Sequence, residues 1–180
     1  MSVKRVSIIF LILIVATLLF LFKSDFKGGA VSFWPVQNGA EQNQAKLEGG
    51  LVYKNTKYRF SFSYPDNLKV MEYDEGQGAG TIIFEDPANA LGFQIFVLPY
   101  SAQEISTDRF KKDVPSGIKL EEKPVTLDGA PGVAFFSQDG FLGDTYEVWF
   151  IYNGHLYEVT TLKENTDWLN MILNNWSFER

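Results

Sequence analysis

The sequence predicts an α+β domain that follows an N-terminal transmembrane helix. Residues 6–22 form an unbroken run without charge. After residue 50, apolar residues recur at every second position over most of the chain, which is the period of β-strands, and near the C-terminus they take the helical period. The chain therefore divides into a cytoplasmic stub with a signal-anchor helix (residues 1–22), a juxtamembrane segment with a tether (23–50) and an exported domain (51–180).

The uncharged run extends from Val6 to Phe22, directly after Lys4 and Arg5. A helix of this length can just cross the hydrocarbon core of a bilayer, and positive charge that precedes it is retained in the cytoplasm. We therefore expect a single-pass protein of the cell membrane that contacts the lipid bilayer through this run. Its N-terminus is then cytoplasmic and its C-terminal domain extracytoplasmic.

The same run could belong to a cleaved signal peptide. Cleavage needs small residues soon after the apolar stretch, but bulky and charged residues follow Phe22, and only the Gly-Gly-Ala triplet at 28–30 offers a suitable context. We predict a retained anchor. The alternative is a mature N-terminus at or near Val31.

Two kinds of sequence lie between this run and the domain. Residues 30–36 are apolar and aromatic, and Phe33 and Trp34 would either lie in the headgroup layer or form an extra edge strand. Residues 37–50 are rich in Gln, Asn, Gly, Ala and Glu. They carry too little apolar surface to offset the entropy of ordering, so they predict a flexible tether.

The exported domain is acidic and the chain has no cysteine. Residues 51–180 contain 11 Lys and Arg against 19 Asp and Glu, a formal charge of −8. Such a surface repels phosphate backbones, so we expect no nucleic-acid partner. Without cysteine there is neither a disulfide nor a lipid-modified N-terminal Cys, and the domain must be stabilised by its core.

Alternating apolar residues predict the strands. Residues 91–98 are apolar on both faces, which indicates a central strand. Asn153-Gly154 is the strongest short hairpin signal, and Asp128-Gly129 predicts another turn. The predicted strands are 58–64, 68–73, 81–85, 91–98, 125–127, 132–137, 145–152 and 155–162.

Two segments predict helices. The first has Ser106 as its capping residue and ends before Pro115, because a residue that precedes proline is driven out of helical geometry. The second, about 166–174, carries an apolar stripe that should lie on the sheet. Its stripe places Trp168 and Trp176 in the core.

The sequence offers no catalytic constellation, and we predict no catalytic residue and no cofactor. His155 is the only histidine, and its place directly after the Asn-Gly turn predicts exposure to solvent. The glycine-rich stretch 76–80 is similar to a phosphate-binding loop, but strand residues follow it where such a loop needs a helix. We interpret it as a hairpin connection.

Three carboxylates around one loop are the candidates for a metal site: Asp139, Asp144 and Glu147. Calcium accepts oxygen ligands from a loop and its flanking strand. These three lack the regular ligand spacing of a calcium loop, so solvated acids that aid solubility are the simpler interpretation.

Several short features of residues 51–180 resemble the PsbP-like family. The resemblance implies an α/β/α sandwich, in which helices cover a central antiparallel sheet. Small membrane-tethered bacterial proteins are similar in their opening strand, whereas the chain departs from the usual pattern at Asn67-Leu68, where a Trp often follows the opening Pro. The resembling features are Tyr58-x-Phe60-x-Phe62-x-Tyr64-Pro65, the turn at 125–132, the strand pair around Asn153-Gly154 and the terminal Trp168 with Trp176-Ser177-Phe178.

A resemblance of this kind informs on fold more than on function. We expect a non-enzymatic binding or accessory module of the cell envelope, whose partner is an envelope protein or ligand of unknown identity. The alternative is a hydrolase that acts on envelope material through loop carboxylates. It would require a cleft with two facing carboxyls about 5–9.5 Å apart.

Overall fold

The computed structural model describes residues 50–114, 116–140 and 142–180. The predicted membrane helix, Phe33 and Trp34, and nearly all of the predicted tether lie outside the described residues. The strands in the described part are β1 (Leu51–Asn55), β2 (Phe60–Tyr64), β3 (Lys69–Gly76), β4 (Ala79–Asp86), β5 (Leu91–Pro99), β6 (Leu120–Leu127), β7 (Ala130–Asp139), β8 (Gly143–Tyr152), β9 (His155–Leu162) and β10 (Ser177–Phe178). The α-helices there are α1 (Thr107–Asp113) and α2 (Thr166–Leu173).

The strands form two antiparallel sheets. The large sheet has the order β3-β4-β5-β9-β8-β7-β6, and the small sheet has the order β1-β2-β10. Strand β5 lies between β4 and β9, which confirms the predicted central strand. The predicted fold class, an antiparallel sheet covered by helices, is confirmed, with the difference that the small sheet joins a helix on one of the two faces.

Two-residue turns close three hairpins of the large sheet. In each of them both residues have positive φ: 53° and 84° at Gln77-Gly78, 42° and 84° at Asp128-Gly129, and 46° and 75° at Asn153-Gly154. This geometry matches the twist of antiparallel strands and favours Gly, Asn and Asp. The predicted turns are confirmed, and the glycine-rich stretch 76–80 is a hairpin connection.

The inner face of the large sheet, which carries Phe84 and Tyr157, packs against the small sheet and α2. Phe60 and Phe62 of β2 stack against Trp176, with ring centroids 4.3 Å and 5.2 Å away. Trp176 is 4% exposed. Each large apolar side chain buried in this way contributes about 1.5–3 kcal/mol. The layer that covers this face is thus a small sheet together with a helix.

The outer face of the large sheet is covered by α1. Phe110 of this helix lies 5.6 Å from the ring of Phe135 and 6.0 Å from that of Trp149. The Ser106 hydroxyl accepts a hydrogen bond from the Arg109 backbone N–H (3.1 Å), which confirms the predicted cap. A smaller apolar cluster therefore lies beneath α1, separate from the inner core.

Some sequence-based expectations need correction. The sequence does not predict strands β1 and β10 or the first half of β6, because apolar and polar residues alternate only weakly in these edge segments. Trp168 is half-buried at the margin of the core, 5.8 Å from the Phe93 ring, and only Trp176 is deeply buried. His155 is also half-buried, because Tyr58 covers one edge of its ring at 5.6 Å.

Candidate functional site

The turn end of the domain is the end of the large sheet that carries the turns 77–78, 128–129 and 153–154. A row of paired residues crosses the sheet beneath it, and all neighbours in the row are in register. The row consists of Gly80, Val97, Tyr157, Phe150 and Gly132. The three turns and the loop that follows β5 therefore lie at the same end of the sheet.

The turn between β1 and β2 packs onto this end through Tyr58. The Tyr58 hydroxyl donates to the carbonyl oxygen of Gly78 (3.1 Å), and the Tyr157 hydroxyl donates to the carbonyl oxygen of Tyr58 (2.9 Å). A Cβ atom on Gly80 would lie 2.6 Å from the Tyr58 hydroxyl oxygen. Glycine at position 80 is what permits this close approach.

Groove 1 lies between this turn and the β3–β4 hairpin, with a volume of about 410 Å³. Its floor is held by hydrogen bonds: the Tyr53 hydroxyl donates to Glu72 Oε1 (2.8 Å), and Asn55 Nδ2 donates to the Tyr53 hydroxyl oxygen (2.9 Å). Burial raises the pKa of the Tyr53 hydroxyl, so it stays protonated and keeps donating. Groove 1 is lined by residues 54–58, 72–74 and 80–82.

The walls of groove 1 carry charges of both signs. Lys54 and Lys57 lie on the wall from the small sheet, and Glu72 and Asp74 lie on the wall from β3. The Lys57 ammonium is 3.7 Å from Asp74 Oδ1 and both side chains are largely exposed. Exposed pairs of this kind exchange partners at little cost, so the groove can accept a polar ligand of mixed charge.

Groove 2 lies at the same end, beside the β8–β9 turn, with a volume of about 300 Å³. The Tyr100 backbone N–H donates to the carbonyl oxygen of Gly154 (2.7 Å), and its hydroxyl donates to the carbonyl oxygen of Glu104 (2.9 Å). These bonds hold the loop after β5 against the turn. Groove 2 is lined by residues 100–103, 129–131 and 151–154.

A buried acid cluster lies on the outer face of the large sheet. It is formed by Arg109 and Asp113 of α1 with Glu158 of β9 and the neighbouring Glu147 of β8. Glu147 is 7% exposed, and its Oε2 accepts from the Thr160 hydroxyl (2.7 Å) and from Trp149 Nε1 (3.2 Å). Burial raises the pKa of Glu147 in spite of these hydrogen bonds. The carboxyl is held in the sheet and closed off from solvent.

Glu158 is the second glutamate of the acid cluster and is 6% exposed. Arg109 forms an ion pair with Asp113 one turn further along α1, and its Nε lies 3.7 Å from Glu158 Oε1. Burial raises the pKa of Glu158 well above its usual range, and Asp113 raises it further, whereas Arg109 lowers it. One guanidinium therefore faces two carboxyls here.

The three predicted calcium candidates are not gathered into one group. Glu147 is buried on the outer face, whereas Asp144 is exposed, accepts from Gln138 Nε2 (3.1 Å) and lies 3.7 Å from Lys163 Nζ. Asp139 Oδ1 accepts from the Leu142 backbone N–H (2.8 Å). Within the described ranges, no set of three or more His, Asp or Glu side chains is placed to hold a metal ion.

Sequence reasoning missed the acid cluster. Glu158 stands between Tyr157 and Val159, in the apolar part of its strand, and an acid at such a position is a signal of a buried charge. Its partners Arg109 and Asp113 lie about 45 residues earlier, and only the packing of α1 onto the sheet brings them to it. For Glu147, the sequence shows the strand position, but its burial depends on neighbours from the adjoining strand, such as Thr160.

The described residues adopt a PsbP-like fold. The structure is similar to the solution structure of a cyanobacterial PsbP protein, CyanoP, from Synechocystis sp. PCC 6803, with 13% sequence identity and a TM-score of 0.51. The match covers 79% of this chain and 99% of the cyanobacterial chain. At this identity the likeness shows the fold, and it confirms the fold that the sequence resemblance implied.

No protein-family model matches the chain, and no curated protein sequence matches it. In the part of the chain that the structure describes, no helix is long and apolar enough to span a membrane.

Proposed function

We propose that this protein is a non-enzymatic binding module, held outside the cell membrane by its N-terminal apolar run, that engages an envelope protein or ligand through the turn end. The observation that carries this proposal is the position of grooves 1 and 2. Both open at the turn end, where loops converge on a rigid sheet, while the buried acids lie elsewhere, under α1. Loops placed on a rigid scaffold are the usual site of recognition.

The chemistry of the two grooves suggests what the partner presents. Groove 1 offers lysines on one wall and acids on the other, so it suits a segment that carries both charges. Groove 2 combines small residues with apolar and aromatic ones, among them Ala102, Gly129, Tyr100, Ile151 and Tyr152. An extended polypeptide segment of the partner fits these features, because it presents backbone donors and acceptors together with charged side chains.

Membrane attachment rests on the sequence. The run from Val6 to Phe22 has the length and the flanking charge of a signal-anchor, and residues 37–50 have the composition of a tether. A tethered module searches for its partner within the reach of that tether. Intact-mass measurement of the membrane-extracted protein tests the anchor, and a mature N-terminus near Val31 would contradict it.

Site-specific photocrosslinking in intact cells tests the binding surface. A photoreactive residue in place of Tyr73, which lines groove 1 and is 37% exposed, should give a discrete adduct with the partner. Leu120 on the opposite edge strand of the sheet, 54% exposed, is the matched control. Adducts of equal yield at both positions, or at Leu120 alone, would place binding elsewhere.

The hydrolase alternative makes a different prediction. If one of these acids were a general acid or base, Asp139→Asn or Asp144→Asn would lower function about a hundredfold with the fold preserved. The binding proposal expects both variants to retain most function in a cellular assay of envelope integrity. A large loss in either variant, with unchanged thermal unfolding, would favour the hydrolase.

A further inference from the structure

The acid cluster lies at the contact between α1 and the large sheet. Arg109 Nε, Asp113 Oδ2 and Glu158 Oε1 are closed off from solvent. Arg109 and Asp113 belong to the helix, whereas Glu158 belongs to β9. The packing of α1 therefore brings two carboxyls and one guanidinium into a small buried space.

The charges in this space do not balance when both carboxyls are ionised. One guanidinium can neutralise one carboxylate, and a second buried carboxylate without a partner is strongly unfavourable. Glu147 on the neighbouring strand β8 adds to the negative potential at Glu158. Asp139 in turn adds to the negative potential at Glu147. The other charged residues of α1, Asp108, Lys111 and Lys112, are exposed to solvent. Beside the helix, the Lys119 ammonium lies over the rings of Phe110 (5.2 Å) and Phe135 (5.3 Å) and pairs with Glu122 (2.8 Å).

The strand neighbours of Glu158 offer no compensating charge. Across the ladder it faces Phe96 on β5 and Trp149 on β8. A proton on one of the two carboxyls removes the imbalance, because the protonated acid then donates a hydrogen bond to the other. Lifting α1 away from the sheet removes it too, because the carboxyls are then solvated.

We propose that α1 is a proton-sensitive cover of the large sheet, which is closed while Glu158 is protonated and loosened once that carboxyl ionises. The sign follows from the geometry. A carboxyl whose pKa is raised in the closed state stabilises closure fully below the ordinary carboxyl pKa, and this stabilisation is lost as the pH rises through the raised pKa.

Opening would uncover an apolar surface. The residues beneath and beside α1 are Leu98, Phe135, Trp149 and Leu156, all buried in the closed state. Exposure of a patch of this kind creates a surface for association with another protein. Loosening of α1 would therefore change what the domain can bind as the pH outside the membrane changes.

Hydrogen exchange of the full-length chain in detergent micelles, measured from pH 5 to pH 8, tests the proposal. The backbone amides of Phe110 and Val114, which bond to Ser106 O and Phe110 O, report on α1. After correction for intrinsic exchange, their opening constant should rise by up to about tenfold per pH unit. Glu158→Gln, which mimics the protonated acid, should reduce this slope to less than half.

Glu122→Gln is the matched control, since it removes an exposed carboxylate beside the segment that follows α1 and should leave the slope unchanged. An opening constant that is independent of pH in the wild type, or an equal slope in Glu158→Gln, would overturn the proposal.

If Glu158→Gln does not fold, Asp113→Asn serves instead, because Arg109 is then free to neutralise Glu158. That variant should keep α1 protected at the higher pH values and so reduce the rise of the opening constant with pH, and an unchanged profile would contradict the proposal.

Discussion

The two faces of the large sheet are covered in different ways. The inner face is closed by a three-stranded sheet and α2, and stacked aromatic rings fill the contact. The outer face is closed by a helix of seven residues over a smaller apolar cluster that contains buried acids. The inner contact is filled mainly by apolar and aromatic rings, whereas the outer contact also holds Glu158 beside Arg109 and Asp113, so its charge balance depends on how many protons the acids hold.

This difference separates two kinds of stability within one domain. Apolar burial on the inner face supports the whole fold, so its loss should be seen in global unfolding. A short helix held by few contacts belongs to the low-stability end of a structure, where local opening precedes global unfolding. The following variants are ordered by the size of the expected effect.

Trp176→Ala should have the largest effect, because the indole stacks on Phe60 and Phe62 in the inner core. We expect a loss of about 3–5 kcal/mol in the free energy of unfolding, measured by chemical denaturation. Trp168→Ala is the control, since that side chain is half-buried and should cost less than half as much. Equal losses in both variants would show that the inner core extends further along α2 than the geometry indicates.

Gly80→Ala should rank second. The new methyl group would meet the Tyr58 hydroxyl at 2.6 Å, so the β1–β2 turn must move away from the turn end. Overpacking of this kind costs about 1–3 kcal/mol. Adding Tyr58→Phe to the same chain should recover part of the loss by removing the clashing oxygen. Thermal unfolding of the single and double variants measures this, and no recovery would mean that the strain lies in the β4 backbone.

Phe110→Ala should weaken the outer contact alone. The ring packs on Phe135 and Trp149 and is only partly buried, so we expect about 1–2 kcal/mol. The effect should appear as faster hydrogen exchange in α1, with exchange in β2 and β10 unchanged. Faster exchange throughout the domain would show that the two faces unfold together, and the distinction between them would fail.

Glu147→Gln should alter only the pH dependence of stability. Because burial raises the pKa of Glu147, this residue favours the folded state fully below the ordinary carboxyl pKa, and the contribution is lost as the pH rises through the raised value. One such group adds at most about 1.4 kcal/mol per pH unit. Denaturation at pH 5, 6, 7 and 8 should show a shallower decline in Glu147→Gln than in the wild type. Parallel curves would mean that Glu147 is equally charged in the folded and unfolded states.

Local patterns were sufficient for much of the fold. The burial of the four aromatic residues of 58–64, the doubly apolar strand 91–98 and the turn at Asn153-Gly154 each depend on neighbours a few residues away, and these predictions are confirmed. The predicted strand 58–64 is too long, since it begins at Phe60 and Tyr58 lies in the turn before it. The cap at Ser106 is equally local. The resemblance to the PsbP-like family was carried by such short features, and the similarity to the cyanobacterial structure agrees with it.

Features that depend on distant parts of the chain were missed or misplaced. Strand β10 has two residues, and it exists because β2 offers an edge more than 100 residues earlier. The sequence predicts that His155 is exposed, but the residue is half-buried because the turn that contains Tyr58 folds over its ring. Grooves 1 and 2 were likewise not predictable, since each is bounded by turns that are separated in sequence and adjacent only in the sheet.

The sequence by itself determined the alternation of strands and turns, the caps and stripe of the helices, the acidic charge and the absence of cysteine. These follow from residue types and spacings over one turn or one strand, where sterics and local hydrogen bonds decide. Only the tertiary structure decided that Glu147 and Glu158 are buried, that Arg109 and Asp113 meet Glu158, and that the grooves share one end. The reason is physical: the ionisation of a carboxyl depends on the solvent and charges around it, and packing between distant segments sets both.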